Sequence, residues 1–146
     1  MSTKSQDSIR DLQARIGAIN AANGWRNAPP PPGFETTQAI AVLALIGTEV
    51  SEAIEELRNG HGFEAYYPHH VPGCALGDYR VYGSGHTPVP ACTCTPKPEG
   101  VPSELADIVI RALDFADLHD IDLGAAIEEK LAYNVTRGHR HWGKAL

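Results

Sequence analysis

The feature that most constrains this chain is the stretch from about Glu35 to Arg58, which is apolar on nearly all sides in its first half. A helix with apolar residues all round is expected at the centre of a core. The dipeptide Asn59-Gly60 follows and supplies a helix stop. The second half of the stretch nevertheless carries four glutamates: Glu49, Glu52, Glu55 and Glu56. A core helix with this much negative charge needs either solvent or a cation beside it.

Three further segments have the three-to-four apolar spacing of amphipathic helices. They are Ser5 to about Ala22, "PSELADIVIRALDFADLHD" from Pro102, and "IDLGAAIEEKLAYNVTRG", which we expect to begin near Asp122 and end at Gly138. Four consecutive prolines break the chain after the first helix and favour an extended spacer. The sequence therefore predicts an all-α fold, a four-helix bundle in one domain spanning residues 1–146.

Residues 60–100 differ from the rest of the chain because they lack helical periodicity and hold all three cysteines and four of the seven histidines. We expect a mostly irregular insertion between the second and third helices, with "DYRVYG" as a candidate for a small hairpin. A loop of this length inside a compact domain is unusual, which indicates either an inserted functional element or a mobile segment.

The cysteines of this insertion allow a structural zinc site. Cys74, Cys92 and Cys94 with one histidine, for which we choose His86 over His61, His69 and His70, would complete a tetrahedral Zn²⁺ set. Cys-x-Cys is a looser signal than Cys-x-x-Cys, so incidental thiols remain the alternative. Three cysteines suit a reducing compartment better than a disulfide framework.

Charge and hydropathy narrow the classes of partner. The net charge of −6 argues against broad binding of nucleic-acid polymers, which requires a basic surface. The N-terminal residues contain no signal-peptide core, and the apolar run Ala39–Gly47 is too short to span a bilayer. We expect a soluble cytoplasmic protein that does not engage a membrane.

Two acidic pairs carry the candidate chemistry. Glu49 and Glu52 are three residues apart, and so are Glu104 and Asp107, so each pair lies on one helix face. Facing helices would bring four carboxylates together, and their repulsion would require a cation. Such oxygen ligands select Mg²⁺ or Mn²⁺. Either pair alone is common on exposed helices, and we expect Glu55 and Glu56 to be surface residues that contact Arg58 or solvent.

A cationic stripe on the last predicted helix strengthens this interpretation. Lys130, Asn134 and Arg137 recur at helical spacing, and His141 and Lys144 follow. A metal cluster beside such cations suits a polyphosphate. We leave Arg111 and Asp114 out of the site, because their three-residue spacing suits a structural ion pair.

These motifs resemble the MazG-like, all-α nucleoside triphosphate pyrophosphohydrolases. The resemblance covers roughly residues 36–59 and 98–144 and rests on "EVSE", "PEGVPSELADIVIRALD" and "KLAYNVTRGHRHWGK" in that order. The chain departs from the family in its long insertion and in the tryptophan of "HWGK", where glycine is common. Small members of the family occur in bacteria and their phages, which implies the cytoplasm of a bacterium or a phage-infected host.

The resemblance implies Mg²⁺-dependent cleavage between the α and β phosphates of a (d)NTP, giving a nucleoside monophosphate and pyrophosphate. It implies four metal ligands, of which Glu49 or Glu52 also orients or deprotonates the attacking water, and four phosphate-binding residues. The ligands are Glu49, Glu52, Glu104 and Asp107; the phosphate-binding residues are Lys130, Asn134, Arg137 and Lys144. Family members commonly form dimers or tetramers, so we expect a homo-oligomer.

Three alternatives stay open at the level of sequence. Trp25 can stack on the nucleobase or can be a core or interface tryptophan. A di-iron bundle also uses carboxylates on several helices, but it normally needs Glu-x-x-His pairs, and Glu104 is followed at that position by Asp107. A catalytically silent nucleotide-binding or regulatory protein of the same fold would have the same sequence pattern.

Overall fold

The computed structural model describes residues 3–26, 28–68, 80–82 and 97–137. Helices make up most of this part of the chain, and the all-α prediction is confirmed. The elements are α1 (Lys4–Ala22), α2 (Glu35–Arg58), β1 (Tyr66–Pro68), β2 (Arg80–Tyr82), α3 (Val101–Leu118) and α4 (Leu123–Val135). The two short strands pair antiparallel, with Tyr66 opposite Tyr82, so the pairing predicted for "DYRVYG" is present.

The chain divides into two compact units. The terminal unit comprises residues 1–38 and 112–146, and the central unit comprises residues 39–111. Helices α2 and α3 each contribute to both units, because the divisions fall inside them. The prediction of a single domain over residues 1–146 stays a prediction.

In the terminal unit, α1 packs against α4. Helix α1 begins with a capping box: the Thr3 hydroxyl accepts a hydrogen bond from the Gln6 amide, and the Gln6 side chain accepts one from the Thr3 amide. Asp122 caps α4 by accepting from the Ala125 amide at 2.9 Å, and it also forms an ion pair with Arg10 of α1. One aspartate therefore both starts α4 and ties it to α1.

A second ion-pair cluster lies in the same unit. Arg26 Nη1 lies 2.7 Å from Asp117 Oδ2, and Nη2 donates to Asp114. Gly17 of α1 is buried against this cluster, and a Cβ there would lie only 2.1 Å from the Asp117 carboxylate oxygen. Because glycine leaves that space open, the Arg26 cluster lies close against the backbone of α1.

In the central unit, the two ends of the insertion meet. The backbone amide of Tyr66 donates to the Glu99 carbonyl at 3.2 Å, and the Glu99 amide donates back at 2.9 Å. Gly100 follows with a φ of +95°, and a Cβ there would approach the Glu64 carbonyl to 3.0 Å. The carbonyl of Gly100 then accepts from the Glu104 amide. The start of α3 is thus fixed by the strand segment that follows α2.

The end of α4 differs from the prediction. The helix ends at Val135, with Thr136 as its C-cap, rather than at Gly138. Thr136 hydrogen-bonds through its hydroxyl to the Tyr133 carbonyl, which offers the last turn an alternative to continued helix. Arg137 therefore lies after the helix, and the prediction that it shares a helical face with Lys130 and Asn134 is wrong.

Helix α2 is longer than its apolar core. Within the described ranges it is the single helix long and apolar enough, by length and composition, to cross a membrane, and 6% of its most apolar window is buried. The run Ala39–Gly47 alone underestimates the length of the apolar helix, because the helix continues through Val50 and Ile54. The expectations of a cytoplasmic location and of no membrane contact stay predictions.

Candidate metal centre

Two glutamates are among the most buried residues of the central unit. Glu49 is 4% exposed and Glu104 is 5% exposed. Acidic side chains are almost never buried to this extent without a partner, because transfer of a carboxylate out of water is costly. Burial distinguishes Glu49 from the exposed Glu52 and Glu55 of α2, and the burial of both Glu49 and Glu104 indicates a built site rather than a solvated helix face.

Glu49, Glu104 and the half-buried Asp107 form a carboxylate triad. One oxygen of each side chain lies within 4.8 Å of those of the other two, a spacing that can hold one metal ion. Helix α3 supplies Glu104 and Asp107 from one face because they are three residues apart. Among the described residues, the set contains carboxylates and no histidine, which suits a hard cation rather than the Glu-x-x-His pattern of di-iron bundles.

Burial and charge act together on Glu104. Burial is the largest cause that raises the pKa of its carboxyl, and the negative charges of Glu52, Asp107 and Glu49 follow in decreasing order; together they bring it to about 7. Lys97 opposes the rise. The raised pKa of Glu104 shows that the negative charges around it are not fully compensated.

Glu52 is exposed and is not a member of the triad. After burial, its charge nevertheless has the largest effect on the pKa of Glu104. The predicted set of four carboxylates is therefore present as a close triad with Glu52 electrostatically coupled to it. The roles predicted for these four as metal ligands stay predictions.

Arg111 belongs to this site, although the sequence pattern suggested otherwise. Its Nη2 lies 2.6 Å from Glu49 Oε1, while Asp114 pairs with Arg26. The predicted ion pair between Arg111 and Asp114 is therefore wrong. The sequence spacing could have placed Arg111 beside the acidic pair, because Glu104, Asp107 and Arg111 follow one another at three and four residues and share one helix face.

Lys97 is a second cation that the sequence pattern did not reveal. It forms an ion pair with Glu99 at 3.1 Å, and the charges of Glu104 and Asp107 contribute to the rise in its pKa after the Glu99 hydrogen bond. It precedes α3 in an irregular segment, so no helical period connects it with the acidic pairs.

Glu55 and Glu56 have different surroundings in the structure. Glu55 is exposed and pairs with Arg58 at 2.7 Å, as predicted. The prediction that Glu56 is a surface residue is wrong: its side chain contacts His61 Nδ1 at 2.6 Å and accepts a hydrogen bond from the Tyr66 hydroxyl at 3.3 Å. The Tyr66 ring also contacts the His61 ring edge-on. This cluster joins the end of α2 to β1 and so supports the geometry that brings α3 to Glu49.

The residues predicted to bind phosphate lie in the terminal unit. The Lys130 ammonium is 5.4 Å and the Arg137 guanidinium 5.9 Å from the centre of the Tyr133 ring, so both cations gather around one aromatic side chain. Asn134 is exposed next to them in the sequence. Trp25 is 80% exposed, so within the described residues the core interpretation of this tryptophan is wrong.

Several predicted residues lie outside the described ranges. They are Lys144 and His141 of the cationic segment and the possible zinc set Cys74, Cys92, Cys94 and His86. Both predictions stand as made from the sequence.

Comparisons with known proteins give no relative. No protein-family model matches the chain, and neither a curated protein nor a solved structure matches it.

Proposed function

We propose that this protein is a Mg²⁺-dependent nucleoside triphosphate pyrophosphohydrolase that cleaves a (d)NTP between the α and β phosphates. The products are a nucleoside monophosphate and pyrophosphate. The observation that carries the proposal is the triad of Glu49, Glu104 and Asp107, whose oxygens lie within 4.8 Å of one another in a buried setting. Three carboxylates this close are mutually repulsive, and a divalent cation offsets that repulsion.

The donor set fits Mg²⁺, with Mn²⁺ as a substitute. Both are hard cations that take carboxylate oxygens, and the triad offers no sulfur or imidazole ligand among the described residues. Glu49, Glu104 and Asp107 would hold the ion, with Glu52 as a fourth ligand. When bound, such an ion lowers the pKa of water and stabilises negative charge on the phosphoryl oxygens.

The carboxylates also have roles in proton transfer. Glu52 is exposed beside the triad, so its carboxylate is open to the solvent from which the attacking water comes. We assign to Glu52 or Glu49 the orientation of that water and the acceptance of its proton as the new P–O bond forms. Glu49 is held by the Arg111 guanidinium, whose Nη2 lies 2.6 Å from its Oε1.

The cationic residues supply the phosphate contacts in this proposal. Lys130 and Arg137 lie around the Tyr133 ring, and Asn134 is exposed on the same helix. With Lys144 they would neutralise the oxygens of the triphosphate. Trp25, which is largely exposed, offers a flat face for the nucleobase.

The ordered resemblance of three motifs to MazG-like enzymes supports the same reaction. The motif "KLAYNVTRGHRHWGK" is the most specific of the three, because it combines a lysine, an asparagine, an arginine, a histidine and a second lysine in one short segment. The acidic pairs "EVSE" and "ELAD" contain all three members of the carboxylate triad.

A pyrophosphate-release screen tests the proposal. Canonical and damaged (d)NTPs are each incubated with Mg²⁺ or Mn²⁺, and we expect release from at least one of them. Glu52→Gln should abolish it, whereas Glu55→Gln, which changes an exposed glutamate of the same helix, should leave it unchanged. Metal-dependent nucleotide binding without turnover would assign the chain to the silent nucleotide-binding proteins instead.

The apolar surface of α2 supports assembly into a homo-oligomer, a dimer or tetramer. Large apolar side chains on this helix are between 43% and 63% exposed; in the central unit they are Ile40, Leu43, Leu45, Val50, Ile54 and Leu57. Surfaces of this kind mark interaction sites. Light scattering should give a multiple of the 15.7 kDa chain mass. A monomer mass together with binding to lipid vesicles would assign the surface to a membrane.

A further inference from the structure

The contact between Arg111 and Glu49 places a cation inside the candidate metal centre. Arg111 Nη2 lies 2.6 Å from Glu49 Oε1, and Glu49 is one of the three members of the carboxylate triad. Glu49 is 4% exposed, so its charge cannot be balanced by water. In the protein without metal, the guanidinium provides this compensation.

The same contact opposes metal binding. The lone pairs of Glu49 Oε1 that accept from Arg111 are less available to a metal ion, and the guanidinium repels any second cation brought to this carboxylate. Only one of the two cations can fully neutralise Glu49. The positive charge of Arg111 and the metal therefore compete for one carboxylate.

The surroundings of Arg111 allow its side chain to move away from Glu49. Its side chain is 38% exposed, so a path to solvent exists, and Glu49 is its only ion-pair partner within the described part of the chain. Its Nε is buried and has no hydrogen-bond partner among those residues. Once a metal ion neutralises Glu49, the guanidinium can move into water, where all of its donors, Nε included, can form hydrogen bonds.

We propose that Arg111 is a placeholder cation, which balances Glu49 in the metal-free protein and is displaced from that carboxylate when the divalent metal binds. The proposal rests on the proposed metal centre. It implies that Arg111 sets the metal affinity: the placeholder keeps the empty centre folded and weakens binding of the ion.

Mn²⁺ binding to the nucleotide-free, full-length protein tests this role. Wild type, Arg111→Gln and Arg111→Lys are stripped with chelator, and Mn²⁺ affinity is measured by calorimetry alongside thermal unfolding with and without Mn²⁺. Arg58→Gln is the matched control, because Arg58 forms an exposed ion pair with Glu55 in the same unit.

Removal of the positive charge should tighten Mn²⁺ binding by roughly tenfold in Arg111→Gln, because a competing ion pair is lost. In chelator, the same variant should melt at a lower temperature than wild type. Added Mn²⁺ should raise its melting temperature by more than it raises that of wild type. Arg111→Lys, which keeps the charge, should bind Mn²⁺ close to the wild-type affinity, and Arg58→Gln should match wild type in every measurement.

Each other outcome overturns a distinct statement. Equal or weaker Mn²⁺ binding by Arg111→Gln, with binding by wild type intact, overturns the placeholder role and leaves the metal centre standing. Absence of Mn²⁺ binding in wild type and all variants overturns the metal centre and the placeholder with it. If Arg111→Gln stays unfolded even in saturating Mn²⁺, Arg111 is a structural residue and the proposal is wrong.

Discussion

Helix α3 contributes to two clusters that combine an arginine with carboxylates, and the balance of charge differs between them. In the terminal unit, Arg26 pairs with both of its neighbours, Asp114 and Asp117. In the central unit, Arg111 pairs with Glu49 only, and Glu104 and Asp107 form no ion pair within the described ranges. The first cluster is complete as a structural element, whereas the second has an excess of negative charge that a metal ion can balance.

Burial and pairing, rather than acidity, distinguish the proposed metal site from the structural ion-pair cluster. Both clusters use helix α3, and their aspartates have similar sequence surroundings. In the cluster around Arg26, burial lowers the pKa of the arginine, but its hydrogen bonds to Asp114 and Asp117 and the negative charges of both together outweigh burial and raise it. In the incomplete cluster, burial and like charges raise the pKa of Glu104.

Matched substitutions of two aspartates on α3 should separate the clusters most clearly. Asp107→Asn should reduce pyrophosphate release by at least about 100-fold, because it removes one of the proposed metal ligands. Asp117→Asn should leave release within a few fold of wild type and lower the free energy of unfolding, because it weakens an ion pair with Arg26. Initial rates and urea unfolding of both variants provide the measurement. Equal losses of activity would contradict the distinction.

Removal of the arginine from the complete cluster should be costly for stability. Arg26→Gln leaves two half-buried aspartates next to each other without a cation, so we expect a loss of about 3 kcal/mol in unfolding free energy. The exposed control Arg58→Gln should change it by less than about 1 kcal/mol. Urea unfolding gives both values, and a similar small change in the two variants would show that Arg26 is not a structural cation.

The carboxylate triad should make the unfolding free energy of the metal-free protein depend on pH. The pKa of Glu104 in the folded chain is about 7, above its ordinary value of 4.5, so the proton favours folding. This contribution is full below the unfolded pKa and is lost as the pH rises through 7. Between pH 5 and 8, in chelator, wild type should lose roughly 2 kcal/mol more unfolding free energy than Glu104→Gln. Parallel pH profiles of the two proteins would contradict the assignment.

The smallest expected effect concerns the cluster that joins α2 to β1. Tyr66→Phe removes the hydroxyl that donates to Glu56, while the ring still fills its buried position, so we expect a loss of about 1 kcal/mol in unfolding free energy. Tyr133→Phe, which changes an exposed tyrosine of the terminal unit, is the control and should have almost no effect on stability. A neutral Tyr66→Phe would show that the Glu56 contact does not support the central unit.

Helical periodicity and stop signals were enough to predict the four helices, whereas β1 was not predicted. The apolar spacing of Ile9, Leu12 and Ile16 defined α1, and Asn59-Gly60 marked the end of α2. The exact end of α4 was not predictable in this way, because Thr136 forms its own hydrogen bond to the backbone at a position that still fits the helical period.

The ion-pair partners of charged residues were harder to predict than the helix faces on which these residues lie. The spacing within each acidic pair identified Glu49, Glu104 and Asp107, because i and i+3 positions share a helix face. The pairing of Arg111 with Glu49 rather than with Asp114 depends on the approach of α2 to α3, which no local pattern encodes. Glu56 was misassigned for a similar reason, since its partner Tyr66 lies beyond the helix end.

The paired ends of the insertion have a consequence for how this chain can change. Tyr66 and Glu99 hydrogen-bond to each other through their backbones, so residues between them leave from and return to one place next to the carboxylate triad. The entropy of closing such a segment grows only with the logarithm of its length. We therefore expect that the number of residues between these paired ends can vary at little cost in folding free energy, while the start of the helix that carries Glu104 stays fixed.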